Sequence, residues 1–123
     1  MKILTKWLRA YLPELAVDDQ QLAEDLTLRG IAVEGIYSLG EGNGSLYEMD
    51  ITTNRVDAMN HYGVAREAAA IYGVALKALD VSLPKARLAA KPFSVKIEAE
   101  DACGRFTARV LRDITVSETR DWF

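Results

Sequence analysis

The chain has 123 residues, half of them hydrophobic, with a net charge of −3. That is material for a small globular domain rather than a disordered segment, and the acidic balance argues against a free-standing, nonspecific nucleic-acid binder, which relies on clustered Lys and Arg to displace counterions. A single cysteine (Cys103) and a single histidine (His61) exclude an internal disulfide, a multi-cysteine zinc site and a His-based metal cluster built from this chain alone, and a reducing, cytoplasmic setting is expected.

The opening MKILTKWLRAYL carries Lys6 and Arg9 inside its apolar pattern, so it reads as neither a secretory signal nor a membrane span. Ile3, Leu4, Trp7, Leu8, Tyr11 and Leu12 recur every three to four residues and predict an amphipathic first helix, stopped by Pro13. Asp18 is placed to cap a second helix, with Gln21 three residues on. Leu22, Ala23, Leu26 and Leu28 form its apolar stripe and Gly30 its C′ residue.

Alternation from Ile31 to Ile36 and again from Leu46 to Thr52, joined by GEGNGS, predicts a β hairpin with a Gly-rich tip. In the following ITTNRVDAMNHYGVARE, Asn54 and Asp57 are expected to fold side-chain oxygens onto nearby backbone N–H groups, and Asn60 to cap a third helix. Arg55 stands between those turn formers. The third helix is expected from about Asn60 to Tyr72, with Val64, Ala68 and Ile71 inward, Arg66 and Glu67 as a surface pair or an anchor to the turn, and Gly73 as the stop.

From Val74 to Pro92 the pattern weakens into an extended linker carrying Lys85 and Arg87. Phe93, Val95 and Ile97, then Phe106, Ala108 and Val110, alternate with polar residues and predict two more strands, too few for a core of their own. The expected organisation is α+β: a three-helix module with a β hairpin, winged-helix-like, over 1–80, a linker over 81–92, and from 93 to 123 the first strands of a second, truncated domain.

Residue chemistry offers no catalytic constellation and no cofactor or metal site. His61 beside Tyr62 reads as a packed or surface residue, and Cys103 as a small buried thiol despite the nearby Arg105. Glu98, Glu100 and Asp101 lack the ligand spacing of a calcium loop. The Gly40 to Gly44 loop has no Lys-Ser or Lys-Thr behind it to cradle phosphate. Arg55, Lys85 and Arg87 remain as candidate tRNA or interdomain contacts, with Asn54, Asp57 and Asn60 as structural turn residues.

Three separated motifs, MKILTKWLRAYLPE with LTLRGIAVEGI, ITTNRVDAMNHYGVAREAAAIYG, and CGRFTARVLRDITV with Trp122, make the chain resemble the N-terminal end of the bacterial phenylalanyl-tRNA synthetase β subunit. The resemblance implies an α2β2 ligase that uses ATP and Mg2+ to charge the phenylalanine tRNA, with the synthetic site in the α subunit and an editing pocket beyond Phe123. It implies a scaffold role for this stretch. Relatives usually carry proline where Thr53, Val56 and Gly104 stand, and an oligonucleotide-binding-fold domain where only GEGNGS is present. Either the lineage lacks that insert or it has been excised. The rival reading is an independent winged-helix-like nucleic-acid-binding or protein-interaction module.

Overall fold

The computed structural model describes residues 1–82 and 93–119. The chain divides into two compact units, Met1–Val81 and Ser82–Phe123.

The first unit runs β1 (Lys2–Leu4), α1 (Thr5–Tyr11), α2 (Asp19–Leu28), β2 (Ala32–Ser38), β3 (Ser45–Asp50), a 3-10 turn at Val56–Ala58 and α3 (His61–Tyr72). The architecture is α+β, as expected, but the hairpin has a third strand. Ile3 and Leu4 do not start the first helix; they pair with Tyr47 and Leu46, giving an antiparallel sheet in the order β1-β3-β2. Their helical spacing misleads because Ile3 is buried from either geometry. Only the pairing partner, more than forty residues away, selects the strand.

The hairpin register runs from Ala32↔Asp50 to Ser38↔Ser45, with a bulge between Val33 and Gly35. Its tip is closed by the Leu39 N–H to the Gly44 carbonyl at 3.0 Å, and Gly40, Gly42 and Gly44 all take positive φ. A side chain is disfavoured in that region, which is why the tip is glycine-rich.

Ile3, Tyr47 and Met49 on one sheet face, Leu8 and Leu12 of α1, Leu22 and Leu26 of α2, and Val64, Ala65 and Ala68 of α3 form the core. Each fully buried leucine contributes about 2 kcal/mol of apolar transfer. Leu28 departs from the expected stripe: at the last turn of α2 it is 80% exposed.

The caps follow the sequence. The Asp18 carboxylate accepts the Gln21 N–H at 2.8 Å, Gly30 has φ +89°, and Gly73 ends α3 with φ +63°. Gln21 does not return a bond to residue 18; its amide reaches Asp25 at 3.3 Å instead. Val74 and Leu76, expected in the extended linker, pack on the core. The Lys77 N–H donates to the Tyr11 carbonyl at 2.9 Å.

In the second unit the described residues 93–119 hold a turn in which Ala102 and Cys103 donate to the Ala99 carbonyl at 3.2 and 2.9 Å. The two expected strands are not formed there. Phe93, Val95, Phe106 and Val110 are exposed. An alternating pattern becomes a strand only against a partner ladder and an apolar layer, and these residues supply neither.

Candidate functional site

The segment from Ile51 to Glu67 links β3 to α3. After Asp50 the chain turns, with the Arg55 N–H donating to the Thr52 carbonyl at 2.9 Å, then makes the 3-10 turn whose Ala58 is fully buried. Asn60 has extended backbone and its side chain accepts the Gly63 N–H at 2.7 Å, which starts α3.

The charges of the motif bind one another. Arg55 grips Asp57 through two nitrogens, Nε to Oδ1 at 3.1 Å and Nη2 to Oδ2 at 3.2 Å, and reaches Glu67 at 2.7 Å. Arg66 meets the same Asp57 Oδ2 at 2.9 Å. The hydrogen bonds from Arg55 hold the Asp57 carboxyl below its usual range. In return Asp57, then the charge of Glu67, raise the affinity of Arg55 for its proton. Arg66 and Glu67 therefore anchor the helix to the preceding turn rather than pair with each other.

Asn54 departs from expectation: its side chain makes no hydrogen bond among the described residues, and Asp57 fastens the turn through the two arginines instead. A single carboxylate facing two guanidiniums gains more from them than from a local N–H. Lys85 and Arg87 lie outside the described residues, as does Trp122.

His61 faces inward from the first turn of α3. Its Nε2 accepts the Leu4 N–H at 3.0 Å, and its ring lies 4.6 Å from that of Trp7. A nitrogen that accepts a backbone N–H carries no proton, so the imidazole is neutral with its hydrogen on Nδ1. Burial lowers its pKa and favours that state. Cys103 donates to the Arg105 carbonyl at 3.6 Å, so what meets the thiol is the backbone of Arg105. Among the described residues no three His, Cys, Asp or Glu side chains are grouped to hold a metal ion.

Sequence reasoning missed a second polar centre. The buried Thr5 hydroxyl donates to Asp19 Oδ2 at 2.7 Å and accepts the Ser45 N–H at 2.8 Å. Arg9 binds Asp19 Oδ1 at 2.6 Å and the carbonyls of Leu15 and Val17 at 3.0 and 2.7 Å, while the Tyr47 hydroxyl donates to the Asp19 carbonyl. Burial alone would raise the Asp19 pKa, but the bonds from Arg9 and Thr5 outweigh it and the net shift is downward. On α2, the Tyr72 hydroxyl donates to Asp25 at 2.6 Å, and burial followed by that bond pushes the phenol up to about 12. These groups tie α1, α2, α3 and β3 of the hairpin together.

No family model matches the chain. A phenylalanine–tRNA ligase beta subunit of Rhodopirellula baltica is 32% identical over 123 residues, covering 99% of this chain and 18% of that protein. Beta subunits of the same ligase are 46% identical over 80 residues in Porphyromonas gingivalis and 39% over 79 residues in Burkholderia pseudomallei, covering 61% and 63% of this chain and 10% of each relative. The chain thus spans less than a fifth of the length of the relatives it matches. The likeness sets it among the aminoacyl-tRNA synthetase subunits. Within them, the likeness is to phenylalanine–tRNA ligase beta subunits throughout.

Proposed function

We propose that this chain is an N-terminal scaffold portion of a phenylalanine–tRNA ligase β subunit. The observation that carries the reading is the likeness over 99% of the chain to a beta subunit more than five times as long. In this reading the module over 1–80 braces the subunit, 81–92 is a linker, and 93–123 enters an editing domain whose pocket lies further on. The complete enzyme, an α2β2 assembly in the cytoplasm, would charge the phenylalanine tRNA using ATP and Mg2+. Catalysis would belong to other parts of that assembly. No described helix is long and apolar enough to cross a membrane.

The interior supports a bracing role, because its polar side chains are spent on joining elements and Arg55 is spent on Asp57 and Glu67. Arg55 therefore serves packing first, and any tRNA contact falls to other basic groups, Lys85 and Arg87 among them. The independent nucleic-acid-binding module is the weaker reading on the acidic balance of the chain.

Two measurements test the proposal. Titration of the chain with duplex DNA and with tRNA at low and moderate salt should give weak binding to both, and tight, salt-sensitive duplex binding would defeat the scaffold reading. The subunit containing this chain, co-expressed with its α subunit, should co-purify with it and charge tRNA with phenylalanine. Failure of both would remove the synthetase reading.

A further inference from the structure

The two edges of the sheet are treated differently. At β1, three residues long, His61 accepts the outward Leu4 N–H and so takes one donor from that edge, on which Lys2 also stands. At the opposite edge β2, seven residues long, is paired on one side only among the described residues. An exposed edge is a template for further pairing unless lysine, proline or a covering element blocks it, and AVEGIYS contains neither residue.

Which backbone groups of β2 are free follows from the pairing phase. Met1 and Met49 exchange both backbone bonds, so Met49 and Tyr47 direct theirs toward β1. By alternation Glu48 and Leu46 bond β2, at Gly35 and Tyr37. Ile36 and Ser38 therefore turn their N–H and C=O groups away from β3. Val33 has its outward N–H taken by the Thr27 hydroxyl at 3.0 Å, where α2 lies alongside.

Between α2 and β2 runs a groove of about 400 Å³, with Ala23, Leu28, Val33 and Ile36 as its apolar surface and Gln20 and Glu24 at its rim. Leu28 is the side chain α2 leaves exposed. Among the described residues neither lysine nor arginine lines the groove, and Arg29, at the end of α2, is held by Asp25 at 3.2 Å. Glu34, exposed on the bulge, adds a second carboxylate beside Val33.

We propose that the groove between α2 and the free edge of β2 takes an extended peptide segment of alternating apolar and basic side chains, added to the sheet as a fourth strand. The Ile36 and Ser38 backbone supplies the ladder, the apolar groove takes alternate side chains, and Glu24 and Glu34 select lysine or arginine between them. A second copy pairing through the same edge would bring those carboxylates against their own kind, and the phosphates of a nucleic acid would meet them as well. This surface is separate from the scaffold role and does not depend on it.

The test uses the full chain, isotope-labelled, and a blocked octapeptide alternating valine and lysine, with a valine–glutamate octapeptide as its counterpart. The lysine peptide is expected to shift and slow amide exchange at Ile36 and Ser38, and the glutamate peptide to leave both unchanged. The double variant Glu24→Lys, Glu34→Lys, with folding checked by circular dichroism, should weaken the lysine peptide by about tenfold. Leu28→Ser, which takes the exposed apolar side chain out of the groove without adding charge, should weaken the lysine peptide. The proposal is overturned by no binding at millimolar peptide, by equal binding of the two peptides, by binding that leaves Ile36 and Ser38 unprotected, or by a dimer in sedimentation equilibrium that the peptide disperses.

Discussion

His61, at the first turn of α3, accepts the backbone N–H of Leu4 through Nε2 at 3.0 Å, and so ties the start of the chain to a helix fifty-seven positions away. The bond exists only while the imidazole is neutral. With the folded pKa below the ordinary 6.5, the unfolded chain binds more protons between those values, so this contribution is complete above 6.5 and is lost as pH falls through the folded pKa. Asp19, Asp25 and Asp57 are shifted below 3.8 and change nothing in that window. His61→Phe keeps a ring against Trp7 but removes the acceptor. It should cost about 1 kcal/mol at neutral pH and flatten the fall in stability toward about pH 5.5, read from urea unfolding across that range.

Thr5 should prove the most demanding polar position in the molecule. Its hydroxyl is fully buried and both gives and receives a hydrogen bond, to Asp19 and from the Ser45 N–H. Thr5→Val keeps the shape, strands the Ser45 N–H and takes one hydrogen bond from Asp19, which Arg9 still holds, for a loss of about 2 kcal/mol in urea unfolding. Thr5→Ser retains both bonds and should lose about 1 kcal/mol with the methyl group. Because the Asp19 pKa is lowered in the fold, its contribution is present above 3.8 and disappears as pH falls through the folded value. Thr5→Val should shrink that acid-range loss.

The difference between these two residues and the ones the sequence announced is instructive. Asp18, Gly30, Asn60 and Gly73 act on backbone within a few positions of themselves, and such short-range chemistry is legible from local order. The Thr5 to Asp19 bond, the Leu4 to His61 bond and the pairing of Ile3 with Tyr47 each join distant segments, and no local pattern marks them. The same limit explains the second unit. Alternation at Phe93 to Ile97 states which residues would share a face, not that a partner strand is present. At the turn, the charged residues of the motif were all legible as polar; that Asp57 would serve two arginines, leaving Asn54 aside, required their positions in space.

Gly63 gives a case where local propensity and packing predict opposite signs. Inside a helix, Gly→Ala is ordinarily stabilising by about 1 kcal/mol. Here a Cβ on Gly63 would lie 1.9 Å from the Asp57 carbonyl oxygen and 2.9 Å from the Ala58 Cα, backbone atoms of the 3-10 turn that cannot swing aside. Gly63→Ala should therefore destabilise by about 3 kcal/mol or more, or prevent folding. Gly73→Ala serves as the comparison: nothing lies within 4 Å there, and the cost is that of the positive φ alone, about 1 kcal/mol. Thermal melts of the two variants decide it. Equal losses would mean that the turn gives way to the new methyl group.

Arg55 separates bracing from RNA contact within the synthetase reading. Its guanidinium is engaged twice by Asp57 and once by Glu67, so its removal should loosen the turn before it affects any ligand. In the full β subunit with its α subunit, Arg55→Ala is expected to speed amide exchange across Val56–Ala58 and lower the melting temperature, with tRNA affinity nearly unchanged. Asp57→Ala, which releases both Arg55 and Arg66, should loosen the same segment further. Adding Arg55→Ala to Asp57→Ala should then cost less than it does alone, because most of the partner set is already gone. If Arg55→Ala leaves exchange and melting unchanged and tRNA affinity drops sharply, the guanidinium meets RNA in the assembly, and its ion pairs are only where it rests in the absence of RNA.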